Sequence, residues 1–402
     1  MDKSNLSHKE LIMNILYYNK AHSIAELSAK TKKSIPSISK IINELYYDQL
    51  IIDDGLAPST GGRRPTRYSI NPKLNKFILS VAVDQHYIRT VIYNMSNEEQ
   101  TPILTLENNL NNPDLTFQNI VESIENILNQ GNYNQHNILG IGISMPGFVD
   151  NILGTNGSYA DKNENLFHIK RNIGHKFQIP TFLENDSSAI AIAEQYFGKA
   201  KDTSHALIIN IGWGVGLGII VDNKLFRGYS GYAGEFSHIP LSDSNKLCSC
   251  GKRGCLEVEA SLPAAVEFAE EKLKSGEKSI LAHQLTNNKP GNSHLLIQSS
   301  LEGDQLAISA LAKSGYMLGK GIATLIHILN PEKIILSGRG AQAGSILMPQ
   351  IQTAINEFCI PKIAQKTTII ISNMTDRAQL IGSACIVLEY SLENLVNSLL
   401  NQ

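Results

Sequence analysis

The chain has 402 residues, 42% hydrophobic and 18% charged, with a formal net charge of −2. It is longer than the ~250–300 residues a single core normally spans, which predicts more than one domain. It is also too apolar for a disordered or low-complexity chain. The near-neutral charge hides an asymmetry: residues 1–76 carry 12 Lys+Arg against 7 Asp+Glu, and the remainder 23 against 30. A basic short end on an acidic body suggests a nucleic-acid-binding segment joined to something else, the alternative being a chance excess on solvated helices.

The opening, MDKSNLSHKE, has no apolar core for a secretory signal. The most apolar stretch, residues 206–221, is interrupted by Asn210 and four glycines and is shorter than the ~20 residues a membrane span needs. A cytoplasmic protein with no membrane partner is therefore expected. Three of the five cysteines crowd into residues 248–255, which fits a reducing compartment and a metal site better than a disulfide framework.

In chain order, Leu11, Ile12, Ile15 and Leu16 recur at helical spacing. Ser23 then stands as an N-cap for a short run through Leu27, and SIPSISKIINELYYDQL places Pro36 in a first turn with Ile38, Ile41, Ile42 and Leu45 along one face. Short strands at residues 50–52 and 67–70 flank the Gly/Pro/Arg-rich DDGLAPSTGGRRPT. Three helices and a hairpin make a winged helix-turn-helix over residues 1–75. Its third helix presents Ser34, Ser37, Ser39, Lys40 and Asn43 outward, side chains suited to base edges and phosphates. Arg63 and Arg64 in the wing suit a narrow A·T-rich minor groove. The competing readings are a trihelical fold without DNA contact and a solvated linker.

From residue 76 the texture is α/β. Strands are expected at 77–83, 88–93, 138–144, 206–211, 217–221, 333–336 and 367–371, and helices at 115–128, from Pro263 and over 304–329. Within this body, His238, Cys248, Cys250 and Cys255 supply an imidazole and three thiolates, enough to close a tetrahedral structural zinc with no open position; Gly251 and Gly254 let the backbone wrap the ion. Cys359 and Cys385 sit in apolar contexts and are expected to be packing residues. The glycines of Gly212-Trp213-Gly214-Val215-Gly216-Leu217-Gly218 permit close backbone approach of a ligand, though a glycine-rich hairpin without a ligand is as common. In Glu184-Asn185-Asp186, Asn and Asp can grip vicinal hydroxyls, and an Asp aimed at one can act as its base; an ordinary helix cap is the equal alternative.

SMPGFVD at 144–150, ENDSSAIAIAE at 184–194, the glycine run with GYAGEFSHI at 231–239 and CSCGKRGCLE resemble, in order and spacing, the ROK family of repressors and sugar kinases. The likeness spans residues 77–390, and with a winged helix ahead of it the chain is similar to the family's transcriptional-regulator branch, that of the xylose and N-acetylglucosamine repressors. The resemblance implies an actin-like, hexokinase-type domain of two α/β lobes over residues 76–402, with the zinc loop at 238–257 and sugar in the cleft. It carries sugar contact onto Asn185, Asp186, Glu235, His238 and Glu257, the family's catalytic-base position onto Asp186, and zinc onto His238, Cys248, Cys250 and Cys255.

The departures are informative. The kinases' Asp-x-Gly-Gly-Thr phosphate loop here reads Asp84-Gln85-His86-Tyr87-Ile88, without either glycine, and a later Gly-Gly-Gly reads Gly338-Arg339-Gly340. Ser188 stands where many members have Asn. A sugar pocket beside a broken nucleotide loop implies sensing without catalysis. The expectation is a sugar-responsive repressor that binds a double-stranded operator as a homodimer or homotetramer. The rivals are a ROK-type sugar kinase with an appended DNA module, and a regulator whose effector is another protein.

Overall fold

The computed structural model describes residues 8–58, 64–161, 163–285 and 291–400. Its contacts divide into two units, residues 1–83, 87–185 and 380–402 in the first, 84–86 and 186–379 in the second.

The first unit opens with α1 (His8–Asn19), β1 (His22–Ser23), α2 (Ile24–Thr31), α3 (Ile35–Tyr47), β2 (Ile51–Leu56) and β3 (Thr66–Ile70). Each boundary has a local cause. Ser23 caps α2 in a reciprocal box: its Oγ accepts from the Glu26 amide, and the Glu26 carboxylate accepts from the Ser23 amide at 2.7 Å. Pro36 occupies the first turn of α3, where its missing N–H costs nothing. Ile38, Ile42 and Leu45 turn inward and are at most 1% exposed, joining Ile12, Leu16 and Leu27 under a three-stranded sheet of order β1-β3-β2. The predicted winged helix-turn-helix is present. The sequence reading did not foresee β1, whose two residues pair antiparallel with Arg67 and Tyr68.

The rest of this unit holds β4 (Phe77–Val83), β5 (Tyr87–Asn94), β6 (Leu104–Glu107), α4 (Pro113–Leu128), β7 (Ile138–Met145), the small hairpin β8 (Val149–Asp150) and β9 (Thr155–Asn156), α5 (Glu164–Phe167), α6 (Ile169–Phe177) and β10 (Thr181–Asn185). Five strands form one sheet of order β10-β7-β4-β5-β6, parallel from β10 to β4 and antiparallel from β4 to β6.

The second unit contains α7 (Asp186–Phe197), β11 (Ala206–Ile211), β12 (Val215–Val221), β13 (Lys224–Leu225), α8 (Glu257–Ala260), α9 (Leu262–Lys274), α10 (Asn292–Leu301), α11 (Gln305–Leu329), β14 (Lys333–Ser337), α12 (Gly344–Phe358), α13 (Pro361–Ala364) and β15 (Thr368–Ile371). Its sheet runs β13-β12-β11-β14-β15, again antiparallel on one side of the first strand and parallel on the other. Counted within each sheet, both have the order third, second, first, fourth, fifth. The body is thus a duplicated α/β topology, the two-lobed architecture that the resemblance implies.

Each sheet has its own core. Leu79, Val81, Ile141 and Ile143 pack with Ile120 and Ile124 of α4 in the first; Ile209, Leu336 and Ile334 pack with Leu311, Leu318 and Ile322 of α11 in the second. Every one of these is at most 1% exposed, and full burial of one such side chain favours folding by about 1.5–3 kcal/mol. The last helix, α14 (Arg377–Leu400), begins in the second unit and from Leu380 belongs to the first. There Ser383 reaches Ser144 Oγ at 2.7 Å, and a Cβ at Gly142 would overlap the Ser383 carbonyl. Among the described residues no helix is long and apolar enough to cross a membrane.

Candidate functional site

The loop between His238 and α8 folds back on itself. Bridges pair Pro240 with Cys255 and Leu247 with Arg253, and the Cys248 amide donates to the Lys252 carbonyl at 2.8 Å. Gly251 (φ +84°) and Gly254 (φ +71°) take left-handed conformations, and a Cβ on Gly254 would overlap the Ser242 carbonyl. The fold brings ligand atoms of His238, Cys248, Cys250 and Cys255 within 4.8 Å of one another. Cys248 Sγ lies 3.5 Å from His238 Nδ1 and Cys250 Sγ 3.6 Å from Cys255 Sγ. Ligands at about 2.0–2.3 Å from a tetrahedral zinc sit this far apart, so donor set and spacing fit the ion. Burial pushes the Cys255 thiol up to about 12, so its ionisation at neutral pH needs a cation beside it; the Lys252 amide lowers Cys250. Cys359 and Cys385 are buried elsewhere, at 5% and 1% exposure.

His238 links this cluster to the expected sugar residues. While Nδ1 faces Cys248, Nε2 faces Glu235 Oε2 at 3.6 Å. The Cys248 thiol also lies 3.9 Å from Glu257 Oε1. A carboxylate on the far nitrogen of a ligating imidazole fixes ring orientation. Partial burial raises Glu235, with the charges of Asp186 and Glu257 adding to the shift, so the three carboxyl groups are electrostatic neighbours. Burial likewise pushes Asp186 up to about 6, and nearby Asp84 raises it further.

The structure assigns Asp186 a more specific place than a generic cap. It is the first residue of α7, and its Oδ2 accepts from Asn210 Nδ2 at 3.2 Å; Asn210 Nδ2 also lies 3.1 Å from Ser187 Oγ. Asn185, one residue earlier, ends β10 in the first unit, where its side chain donates to the Gly147 carbonyl at 3.2 Å. Asn210 was not singled out in the sequence, although it is the polar residue in an otherwise apolar strand.

The glycine run divides by task. A Cβ at Gly216 would overlap Ser187 Oγ and one at Gly218 would overlap Ala191 Cβ, so these two let α7 lie against β12. Gly214 instead backs onto Glu257, whose Oε2 would stand 2.7 Å from a Cβ there. Trp213, immediately before Gly214, is 50% exposed and meets the His86 ring edge-on at 4.6 Å. The segments with altered glycines close on each other by charge. Arg339 Nη2 lies 3.3 Å from Asp84 Oδ2, and its Nε 3.7 Å from Asp376 Oδ1.

On α3, the exposed Lys40 and Asn43 and the half-buried Ser39 share a groove with Lys9 and Tyr47. Lys9 is tied to Glu44 at 3.0 Å and to Asp48 at 3.7 Å. Tyr47, 87% exposed and one turn beyond Asn43, was missed in the sequence because an aromatic at helical spacing resembles core. Ser34 is exposed but serves as the N-cap, accepting from the Ser37 amide at 3.4 Å, while Ser37 itself is half-buried. Arg64 is exposed and donates to the Ala57 carbonyl at 2.7 Å. Arg63 lies outside the described residues.

Comparison with known proteins agrees with this architecture. The chain is 27% identical over 392 residues to the xylose repressor of Bacillus spizizenii, covering 96% of each. It is 25% identical over 379 residues to the DNA-binding transcriptional dual regulator NagC of Escherichia coli, covering 92% of this chain and 89% of that one. Among solved structures, a ROK family transcriptional regulator described as a homologue of E. coli MLC matches with a TM-score of 0.78 and 25% identity over 98% of both chains. Residues 81–390 match the ROK family as a whole, and the chain belongs to that family.

Proposed function

We propose that the protein is a sugar-responsive transcriptional regulator, a repressor of carbohydrate uptake or catabolism genes that a sugar inducer releases from DNA. Residues 1–75 read the operator through Ser34, Ser37, Ser39, Lys40 and Asn43, with Arg63 and Arg64 of the wing on the minor groove. Residues 76–402 hold the sugar through Asn185, Asp186, Glu235, His238 and Glu257. The observation that carries this reading is the winged helix joined to a His238–Glu235–Glu257–Asp186 cluster, in a chain similar over nearly its full length to named repressors.

Structural zinc on His238, Cys248, Cys250 and Cys255 supplies a rigid anchor and no reacting group. With it bound, His238 is held against Glu235, leaving these side chains set to meet sugar hydroxyls. The protein acts in the cytoplasm as a homodimer or homotetramer, because an inducer that favours one conformation can then change the spacing of paired reading helices. The test is binding of the full-length protein to DNA upstream of its own and neighbouring sugar genes at physiological salt. Preference over random DNA, lost on adding one sugar of a panel, is expected; equal affinity for both DNAs sinks the proposal.

One observation favours a second reading as a sugar kinase: Asp186 is half-buried and shifted toward neutrality, as a base for a hydroxyl would be. Against it stand the bulky His86 and Tyr87 and the Asp84–Arg339 pair in the segments the resemblance assigns to nucleotide phosphates. A coupled assay of ADP release across the same sugars is expected to show no turnover. Turnover abolished by Asp186→Asn would establish the kinase instead.

A further inference from the structure

We propose that Tyr47 is a specificity residue of the DNA-reading helix, its ring packing on the C5-methyl group of a thymine in the major groove. The inference rests on the operator-binding reading above and adds to it one base and the side chain that meets it. Pro36, Ser39, Lys40, Asn43, Glu44 and Tyr47 stand at i, i+3, i+4, i+7, i+8 and i+11 along α3 and line a common groove, while Ile38, Ile42 and Leu45 turn into the core. The two tyrosines that end the helix differ in what they touch. Tyr46 meets Tyr68 of β3 edge-on at 6.4 Å, so its ring takes part in packing α3 against the sheet. Tyr47 stands 87% exposed on the face that carries Lys40 and Asn43.

Charge decides which part of a duplex this ring can meet. Glu44 and Asp48 flank Tyr47 in the groove, and both hold Lys9, at 3.0 and 3.7 Å. Lys9 is thus shared between two carboxylates, and the last turn of α3 has no basic residue. The carbonyls at a helix C-terminus add negative charge of their own. A phosphate drawn to the Tyr47 hydroxyl would meet like charge and no unshared cation in that turn. A neutral base edge meets no such penalty. Bases in a duplex are stacked face to face, so the major groove offers their edges, and among the groups on those edges the thymine methyl is the apolar one that an aromatic side chain can cover. Tyr47 follows Asn43 by four residues, about 6 Å along the helix at about 1.5 Å each. That is close to two base-pair steps of about 3.4 Å, so the thymine lies about two base pairs from the base that Asn43 reads, on the side away from Lys40.

The probe is a set of duplexes that the full-length protein selects from a random-sequence pool, with each thymine in turn replaced by deoxyuridine, which removes the C5-methyl group alone. Anisotropy titrations compare the unaltered protein with Tyr47→Ala and Tyr47→Phe. One thymine in each half-site is expected at which the replacement weakens the unaltered protein and Tyr47→Phe by about three- to tenfold and leaves Tyr47→Ala unaffected. Tyr47→Ala is expected to bind the unmodified duplex more weakly by a similar factor and random DNA as before. Deoxyuridine effects that are the same with and without the ring overturn the proposal and leave operator binding standing. So does a Tyr47→Phe protein weakened as far as Tyr47→Ala on selected and random DNA alike, which assigns the hydroxyl to a phosphate. Dissociation of Tyr47→Ala into smaller assemblies on sedimentation assigns the residue to a contact between copies of the chain and likewise overturns it. A pool from which the unaltered protein enriches no sequence sinks the operator-binding reading, and this proposal with it.

Discussion

Asp186 is where one side chain carries the most consequence. Sugar hydroxyls donate to a carboxylate better than to a carboxylic acid, and burial pushes this group up to about 6. With Asp186 as the proposed sugar contact, sugar affinity is expected to fall by roughly tenfold between pH 7 and pH 5, as at pH 5 only about a tenth of the protein keeps the ionised acceptor. Calorimetry across that range reads the slope; Asp186→Asn should bind more weakly and flatten it. The same shift acts on stability with the opposite tendency. A carboxyl raised in the folded state favours folding fully below its unfolded value, and that contribution disappears as pH rises through about 6. Asp186→Asn is accordingly expected to stabilise the protein at pH 7, by about 1–3 kcal/mol, and to do little at pH 4; denaturant titration at the two pH values checks it. Asn-Asp ahead of an alanine-rich helix reads equally as a helix cap or a site, and Asp186 stood out in the sequence only through the family resemblance. Asn210, which holds its carboxylate, did not stand out: a lone amide in a strand carries no local signal, and its role exists only once β11 lies beside the start of α7.

At the level of elements, punctuation residues decide where structure starts and how closely it packs. Ser23 and Glu26 share both bonds of a capping box, so Ser23→Ala is expected to cost about 1 kcal/mol, seen as a lower urea midpoint with unchanged slope. Gly216 is a different case. Its missing side chain admits Ser187, and Gly216→Val should destabilise by about 1–3 kcal/mol or more through overpacking of α7 on β12, whereas Gly251, with open space at its Cβ, should resist substitution only through its φ of +84°. The sequence marked Gly251 and Gly254 as turn positions but did not divide the run 212–218, since alternating glycines look the same whether they admit a ligand, a helix or a turn. Buried strands such as β4 and β11 were legible to the residue because both faces are covered and each apolar run is interrupted by a single polar residue, Ser80 or Asn210. The short β6, with alternate residues exposed, and α12, with Pro349 inside it, were not: one lacks a continuous run and the other carries a helix breaker that neighbouring packing overrides.

For the molecule as a whole, the duplicated strand order could not be read from residue patterns, because each half buries its sheet with different side chains; the resemblance implied two α/β lobes, without their strand order. What the sequence did display was the division of charge. A net excess of cations in residues 1–76 on an acidic remainder means that DNA attraction must come from the N-terminal module against repulsion by the body. Two kinds of residue on that module then separate by experiment. Lys40 is exposed beside Asn43 on α3 and Arg64 is exposed at the wing. Each placed on a phosphate would release about one counterion, so Lys40→Ala and Arg64→Ala should each reduce the slope of log K against log salt by about one and weaken operator and random DNA alike. Asn43 presents an amide that can pair with a base edge; Asn43→Ala should leave that slope unchanged and weaken operator DNA alone, by about 1–3 kcal/mol. Anisotropy titrations at several salt concentrations with both DNAs read slope and ratio together. A slope untouched by either cationic substitution would remove these residues from the interface and leave the basic excess of the module as ordinary solvated charge.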